Sequence, residues 1–307
     1  MRRAVLLYNP TCGRHPQHRL QIINRIADAL RARGLGVEIT PTSSPGSAGR
    51  QAAEAGTADI IFACGGDGTI HEVLQGVAFH PRAALGLLPL GTGNVLARHI
   101  GLPSDPVAAA LAQLDYPPRT LPLGLLEYTT AGGPRQRYFL VMAGAGPDGE
   151  LVRTSMGRLK LSLGRAAYHV RAARLFLHAR FPAYDVRITL SAGDVIERTA
   201  AGMMAVRGSD LAGIIGPRTL RGSLSQSHLQ ITILKPPVRL ALLAWLASGW
   251  VPVPRSQLVE TFQAESLTAT AGRNGDVQVE ADGEWLGHTP LSLRVVPDAL
   301  RMLIPPT

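Results

Sequence analysis

Between residues 4 and 88 the chain alternates short apolar runs with stretches whose apolar residues recur at helical spacing. Residues 4–8, 37–40, 59–63 and 84–88 read as strands. Between them, residues 17–33 carry Leu20, Ile23, Ile26 and Leu30 at helical intervals, and Gly34 follows as a stop signal. Residues 48–55, closed by Gly56, and 70–77 read as further helices. Strand and helix in alternation with short loops imply a parallel sheet covered by helices. Ligands on such sheets sit at the carboxyl ends of the strands, so the residues following each apolar run are the first candidates for a site.

From about Thr120 the texture changes. Residues 121–128, 138–143, 186–190, 203–206 and 229–234 read as strands without regular helices between them, which suggests an antiparallel, sandwich-like second domain. Two stretches of helical character interrupt it. Residues 159–179 interleave Leu161, Leu163, Ala167, Val170 and Leu175 with Lys160, Arg165, Arg171 and Arg174, and residues 238–250 are nearly uncharged apart from Arg239. Each reads either as a core helix or as a lipid-facing surface; Trp245 and Trp250 suit both. Pro117-Pro118 marks the boundary, giving an α/β domain over 1–120 and a β-rich domain over 121–307 whose last residues return to the first.

Composition narrows the partners. The 307 residues are 46% hydrophobic and 17% charged, enough apolar material for a sizeable core. Lysine and arginine exceed aspartate and glutamate by 31 to 22, a formal net charge of +9, which favours anions: nucleic acid, an acidic membrane surface or a phosphate-bearing substrate. No nucleic-acid motif or aromatic platform accompanies that charge, so nucleic acid is not an expected partner. Cys12 and Cys64 are the only cysteines, and neither has a partner at metal spacing, which fits a reduced, cytoplasmic setting. The apolar stretch after Met1-Arg2-Arg3 is too short for a signal sequence, and residues 240–250 are too few to span a bilayer. The expectation is a cytoplasmic protein, with contact at a membrane surface left open.

Three strings carry chemistry. Gly65-Gly66-Asp67-Gly68-Thr69 stands between the third strand and a helix. Its glycines let the backbone turn sharply, amides opening a helix make an anion site, and Asp67 can orient a hydroxyl or a metal-bound phosphate. Pro89-Leu90-Gly91-Thr92-Gly93-Asn94 repeats the pattern after the fourth strand, and Asn9-Pro10-Thr11-Cys12-Gly13-Arg14 follows the first. Asn9 can bond a phosphate or ribose oxygen and Arg14 can neutralise phosphate charge. Singly, each string is also what an ordinary capped turn looks like, with Asn94 as an N-cap in the second.

Together these strings resemble the catalytic domain of the diacylglycerol-kinase-like lipid kinases, a group that includes sphingosine and ceramide kinases and bacterial lipid kinases. The resemblance covers most of the chain in matching order. Gly65 to Thr69 alone is shared with NAD kinases and, loosely, with phosphofructokinases. The later strings Ala143-Gly144-Ala145-Gly146-Pro147-Asp148-Gly149-Glu150 and Asp282-Gly283-Glu284 separate the families. The resemblance implies an α/β N-terminal domain with a parallel sheet of the NAD-kinase and phosphofructokinase type, followed by a mainly antiparallel β-sandwich.

It also implies roles. ATP would be bound by Asn9, Pro10, Thr11, Cys12, Gly13, Thr42, Gly65, Gly66, Asp67, Gly68, Thr69, Ile70, His71, Glu72, Gly91, Thr92, Gly93 and Asn94. Thr42 joins them because Thr42-Ser43-Ser44-Pro45-Gly46-Ser47-Ala48 resembles the family's second-strand loop. Glu284 would be the general base that takes the proton from the acceptor hydroxyl, with Asp282 beside it and Asp67 as the third catalytic carboxylate. Mg²⁺ would arrive on the ATP phosphates. The alternative for Asp282-Gly283 is a plain hairpin turn.

The sequence departs from the family at His71, at Val95 where an aspartate is common, and over residues 217–226, where arginines and no carboxylate replace the aspartates of a structural Mg²⁺ loop. A hard divalent cation needs oxygen ligands, so that structural site is expected to be missing; Asp210, just upstream, reads as a solvated loop residue. Three readings stand: an ATP-dependent lipid kinase acting on diacylglycerol, a sphingoid base or a related long-chain alcohol; a kinase of another alcohol such as NAD; and an inactive lipid-binding protein with the same fold. The partners expected are a lipid and, transiently, an anionic membrane surface; the oligomeric state is open, a homodimer among the options.

Overall fold

The structure, a computed structural model, describes residues 2–11, 18–80, 82–155, 181–207, 224–237 and 258–306. It divides into two compact units. One comprises Met1–Leu123, Gly216–Ser225 and Pro297–Thr307, the other Gly124–Ile215 and Gln226–Val296.

In the first unit, strands β1 (Arg3–Tyr8), β2 (Gly36–Pro41), β3 (Ile60–Gly65) and β4 (Ala84–Pro89) run parallel in the order β2-β1-β3-β4. The end of strand β14 (Glu284–Leu303) lies parallel to β4, with Met302 opposite Leu85. β1, β3 and β4 are apolar and almost wholly buried, as strands covered on both faces must be. Helix α1 (Arg19–Ala32) and helix α5 (Pro106–Leu114) pack together, as do α2 (Ala48–Glu54) and α3 (Asp67–Val77). Ile23, Ile26, Ala27 and Leu30 of α1 meet Leu6, Phe62 and Leu88 of the sheet in one core. The stripe starts at Arg19 and not at Leu20, which is 51% exposed. Beyond its short contact with β14, the main chain of β4 is completed by a side chain: buried Gln113 of α5 accepts from Leu87 N–H at 2.9 Å and donates to Leu87 O at 2.8 Å.

The second unit is mainly antiparallel. Its strands are β5 (Pro118–Thr130, from Gly124 onward), β6 (Gly133–Phe139), β7 (Met142–Ala145), β8 (Tyr184–Leu190), β9 (Val195–Ala200), β10 (Gly202–Arg207), β11 (Leu229–Leu234), β12 (Val259–Ala269), β13 (Gln278–Ala281) and the first part of β14. Pairing runs β14-β13-β7-β10-β11-β12 and returns to β14 through Leu267 opposite Leu293, so this circuit closes on itself and leaves no free edge. Leu126, Phe139, Tyr184, Ile188, Ile231, Val279 and Leu293 fill its interior. Each such side chain contributes roughly 1.5–3 kcal/mol on burial. The β-sandwich expected from the sequence is what forms.

Three local expectations need correction. α3 begins at Asp67 and not at Ile70, because Asp67, Gly68 and Thr69 already form its first turn. Residues 138–143 are not one strand: β6 ends at Phe139 and β7 begins at Met142, and the amides of the break are claimed by a carboxylate described below. A helix, α6 (Pro147–Ser155), follows β7 directly where the sequence reading had a glycine-rich string; Pro147 at its start and Asp148 and Glu150 in its first turn are helix-opening signals. The proposed helical stretches 159–179 and 238–250, Asp210, and residues 217–223 of the arginine-bearing loop lie outside the described residues.

Candidate active site

Parallel register brings the loops of the first unit to one edge. Thr42 N–H donates to Tyr8 O at 2.8 Å, Asn9 N–H to Cys64 O at 3.2 Å and Leu90 N–H to Gly65 O at 3.0 Å, so the loops after β1, β2, β3 and β4 leave the sheet at the same level. Asn9 then spans two of them. Its Nδ2 donates to Thr69 Oγ1 at 3.5 Å, while its Oδ1 accepts from the Thr11 amide and hydroxyl, both at 2.9 Å. Pro10 lies in the turn between; Cys12, Gly13 and Arg14 lie outside the described residues.

The β3 and β4 loops touch through glycine. A Cβ on Gly91 would sit 2.4 Å from Gly66 Cα, a collision that only a shift of the main chain could relieve. Gly66 occupies the N-cap position of α3 and brings no capping side chain, which leaves the amides of the first turn for an anion. Asp67 leans the other way: its Oδ1 accepts from Leu96 N–H at 3.4 Å in α4 (Val95–His99). Asn94 is not the conventional N-cap expected of it. Its backbone is left-handed (φ 47°), and its side-chain amide closes the loop on itself, accepting from Gly91 N–H and donating to Gly91 O, each at 2.9 Å. Thr92 and Gly93 are exposed at the loop tip, and Gly68 is exposed at the start of α3.

Other residues named from the sequence serve the scaffold. Ile70 and His71 are buried in α3. Glu72 accepts from the amides of Gly46 at 3.1 Å and Ala48 at 3.3 Å, so it shapes the loop after β2 and satisfies the start of α2. Burial pushes the Cys64 thiol well above the usual range; it is an inert part of the core. Arg19 escaped the sequence reading. It is buried, and its Nη2 donates to Leu90 O at 3.0 Å, tying α1 to the β4 loop. A cation in the first turn of a helix opposes the macrodipole, and that misfit was the signal to notice.

The second unit builds its site around the β13–β14 hairpin. Asp282 and Gly283 form the turn with φ of +48° and +80°, the twist-matched geometry Asp-Gly favours. The hairpin reading was right, and the carboxylates are engaged as well. Asp282 Oδ2 accepts from Leu140 N–H at 2.7 Å, and its Oδ1 from Val141 and Met142 N–H at 2.9 and 3.0 Å. This anion on consecutive amides explains the break between β6 and β7. Buried Arg207 supports it: its guanidinium donates to Leu140 O at 3.2 Å and Gln226 O at 3.4 Å. Desolvation lowers the Arg207 pKa to about 10 against the opposing pull of Asp282, so the group stays cationic at neutral pH.

Glu284 opens β14 and forms an ion pair with Arg137 of β6. Close by, Glu280 is buried, with Oε2 accepting from Gly283 N–H at 2.9 Å. Its carboxyl lies against that of Asp148 in α6: a Cβ on Gly144 would meet Asp148 Oδ2 at 2.5 Å and Glu280 Oε1 at 3.1 Å. Burial, and then their mutual repulsion, push the Glu280 pKa well up, and burial raises Asp148. The pair retains a proton where ordinary carboxylates have lost theirs. Among the described residues no group of three or more histidine, cysteine or carboxylate side chains could hold a metal.

Comparison with known proteins gives the family of the chain. Residues 3–125 match the diacylglycerol kinase catalytic domain, and residues 141–304 match the YegS C-terminal NAD kinase beta sandwich-like domain. A diacylglycerol kinase of Staphylococcus epidermidis is 31% identical over 295 residues, covering 94% of this chain and 88% of that protein. The diacylglycerol kinase of Bacillus subtilis is 33% identical over 180 residues, 57% of this chain, and the match spans little more than half (56%) of that relative's length. A Bacillus anthracis diacylglycerol kinase structure superposes with a TM-score of 0.69 at 22% identity, over 99% of this chain and 97% of that one. Yeast NADH kinase shares the fold more distantly, with a TM-score of 0.52 at 9% identity over 99% and 84%.

Proposed function

The chain belongs to the diacylglycerol kinase family of lipid kinases, and on that premise we propose that it transfers the γ-phosphate of ATP to a hydroxyl group of a lipid. The observation that carries this reading is the convergence of the Asn9, Gly65–Thr69 and Gly91–Asn94 strings on one sheet edge, with the first-turn amides of α3 left uncapped. Glycine gives close approach, the amides take the phosphate oxygens, and Asn9 and Thr92 supply polar contacts to the nucleotide. Asp67 is the carboxylate at this edge able to meet a phosphate-bound Mg²⁺. The cation, when bound with ATP, neutralises charge on the phosphates.

Glu284 acts as general base. It takes the proton of the acceptor hydroxyl as that oxygen bonds to the γ-phosphorus and ADP departs with the electron pair of the broken P–O bond. Asp282 holds the hairpin that presents Glu284, the work of an anchor. The acceptor is a lipid with a free hydroxyl, and diacylglycerol, the substrate in the relatives' names, is the first to try. Such lipids lie in membranes. The net charge of +9 favours an anionic surface, and no helix among the described residues is long and apolar enough to cross one.

The test is a labelled-ATP screen with Mg²⁺ against diacylglycerol, sphingoid bases, other long-chain alcohols and NAD. A phosphorylated lipid is expected; phosphorylation of NAD alone would overturn the reading. Glu284→Gln keeps the shape and removes the base, and kcat is expected to fall about 10²–10⁴-fold.

A further inference from the structure

We propose that Arg137 is the positioning residue for this reaction, holding one oxygen of Glu284 so that the other faces the acceptor hydroxyl. The inference rests on the reading of Glu284 as base. Nη2 of Arg137 donates to Oε2 of Glu284. Among the described residues no hydrogen bond is made to Oε1, so the carboxylate is pinned at one oxygen and open at the other. A general base needs that asymmetry: one oxygen fixed, one lone pair available at hydrogen-bond distance from the proton.

The surroundings separate this pair from the ordinary ion pairs of the surface. Arg50 and Glu54 leave 68% and 60% of their side chains exposed, whereas Arg137 and Glu284 leave 20% and 28%. An exposed pair is screened and contributes little, while a sheltered one holds its geometry. The two strands are also stapled next to it. Asp282, two residues before Glu284, is bonded to the amides of residues 140, 141 and 142, just beyond Arg137 on the same stretch of chain. Glu280 fixes the turn from its other side through Gly283 N–H. The backbones that carry the acid and the cation therefore have a set separation. Arg137 removes the remaining freedom, that of the glutamate side chain itself, which otherwise samples many rotamers.

Tyr128 of β5 completes the group. Burial raises its hydroxyl pKa, the cations Arg137 and Arg135 oppose that, and the charge of Glu284 adds to it. The phenol thus stays neutral beside the pair. A base held by a planar guanidinium loses little geometry between turnovers, and misplacing a catalytic group by about 1 Å lowers rates on the order of a hundredfold.

The experiment is a double-mutant cycle on the full chain, with kcat and KM for ATP and lipid measured separately. Arg137→Gln is expected to lower kcat about tenfold to a hundredfold and leave KM for ATP unchanged. Arg137→Lys restores charge without the planar fork and is expected to recover part of that loss. In a Glu284→Gln background, Arg137→Gln is expected to have no further effect, because it acts only through the carboxylate. The proposal is overturned if Arg137→Gln turns over normally while Glu284→Gln is inactive, or if the two losses multiply in the double variant. Near-normal turnover of Glu284→Gln sinks the base reading and this proposal together, which distinguishes the two failures. Should Arg137→Gln fail to fold, the same cycle with Arg137→Lys decides it: a kcat equal to the parent's overturns the proposal.

Discussion

The two units assemble polar groups in opposite ways. At the loop edge of the first unit, most bonds are made by neutral or main-chain groups that join one loop to the next: Asn9 to Thr69, Asn94 to Gly91, Leu90 to Gly65. At the hairpin of the second, ionisable groups face one another under partial or full burial: Asp282 with Arg207, Glu284 with Arg137, and the two acids Glu280 and Asp148. The first arrangement depends on shape and tolerates changes of pH and salt. The second depends on charge state: removing one member of an acid–cation pair leaves its partner uncompensated in a low-dielectric setting, while the two acids repel and share a proton.

The most severe challenge to that contrast is Asp282→Ala. It strands the amides of residues 140, 141 and 142 and removes the pull of Asp282 that offsets the desolvation of Arg207. A loss on the order of 3–5 kcal/mol is expected in urea unfolding. A loss below about 1 kcal/mol, the range of an ordinary neutral hydrogen bond, would erase the distinction between the two regions. Gly91→Ala tests the other side. The new methyl collides with Gly66 Cα, so stability should fall by about 1–3 kcal/mol and KM for ATP should rise at least about tenfold, the counterpart of 1.4 kcal/mol. An unchanged KM would show that close loop approach is not what the nucleotide needs.

Asn94→Ala is milder. It deletes two bonds to Gly91 and is expected to lower stability by about 1–2 kcal/mol, with the same loss at low and high salt. Salt dependence there would blur the contrast. The smallest effect is read in pH. The raised carboxyls of Glu280 and Asp148 keep a proton in the folded state that the unfolded chain releases above the ordinary carboxylate range. The unfolded state then binds fewer protons, so this pair lowers stability as pH rises from that range towards the folded values, and contributes no slope below it. Glu280→Gln should flatten the decline in melting temperature over that window. A variant with the parent's slope would show that the pair does not share a proton.

The sequence disclosed the first site far better than the second, and the reason is distance along the chain. Gly65–Thr69 and Gly91–Asn94 each announce themselves in a few consecutive residues, because glycine and a strand end are local facts. Parallel pairing then assembles them without further instruction. Asp282-Gly283-Glu284 was equally visible, yet its partners were not. Leu140 stands 142 residues from Asp282 and Arg137 stands 147 from Glu284, and no periodicity marks an arginine on a strand for a role so far away. The reading of residues 138–143 as one strand failed for the same cause: all six residues are hydrophobic, and only a carboxylate from the hairpin breaks the ladder. Arg19 and Glu72 show a subtler limit. Arg19 drew no expectation and Glu72 was expected at the nucleotide, while the fold uses both to tie helices to loops.

Strand β14 begins beside the proposed base and finishes against β4, where Met302 meets Leu85, Ala299 O receives Phe79 N–H and Arg301 reaches Arg82 O. The parallel sheet therefore recruits a strand translated some two hundred residues after its neighbour. On the ribosome the early βα repeats must wait with one flank incomplete until the end of β14 emerges, a vulnerable interval for a sheet of this kind. Fragments that stop after residue 123 should inherit that flank permanently and aggregate, whereas adding the segment 297–307 in trans should rescue them.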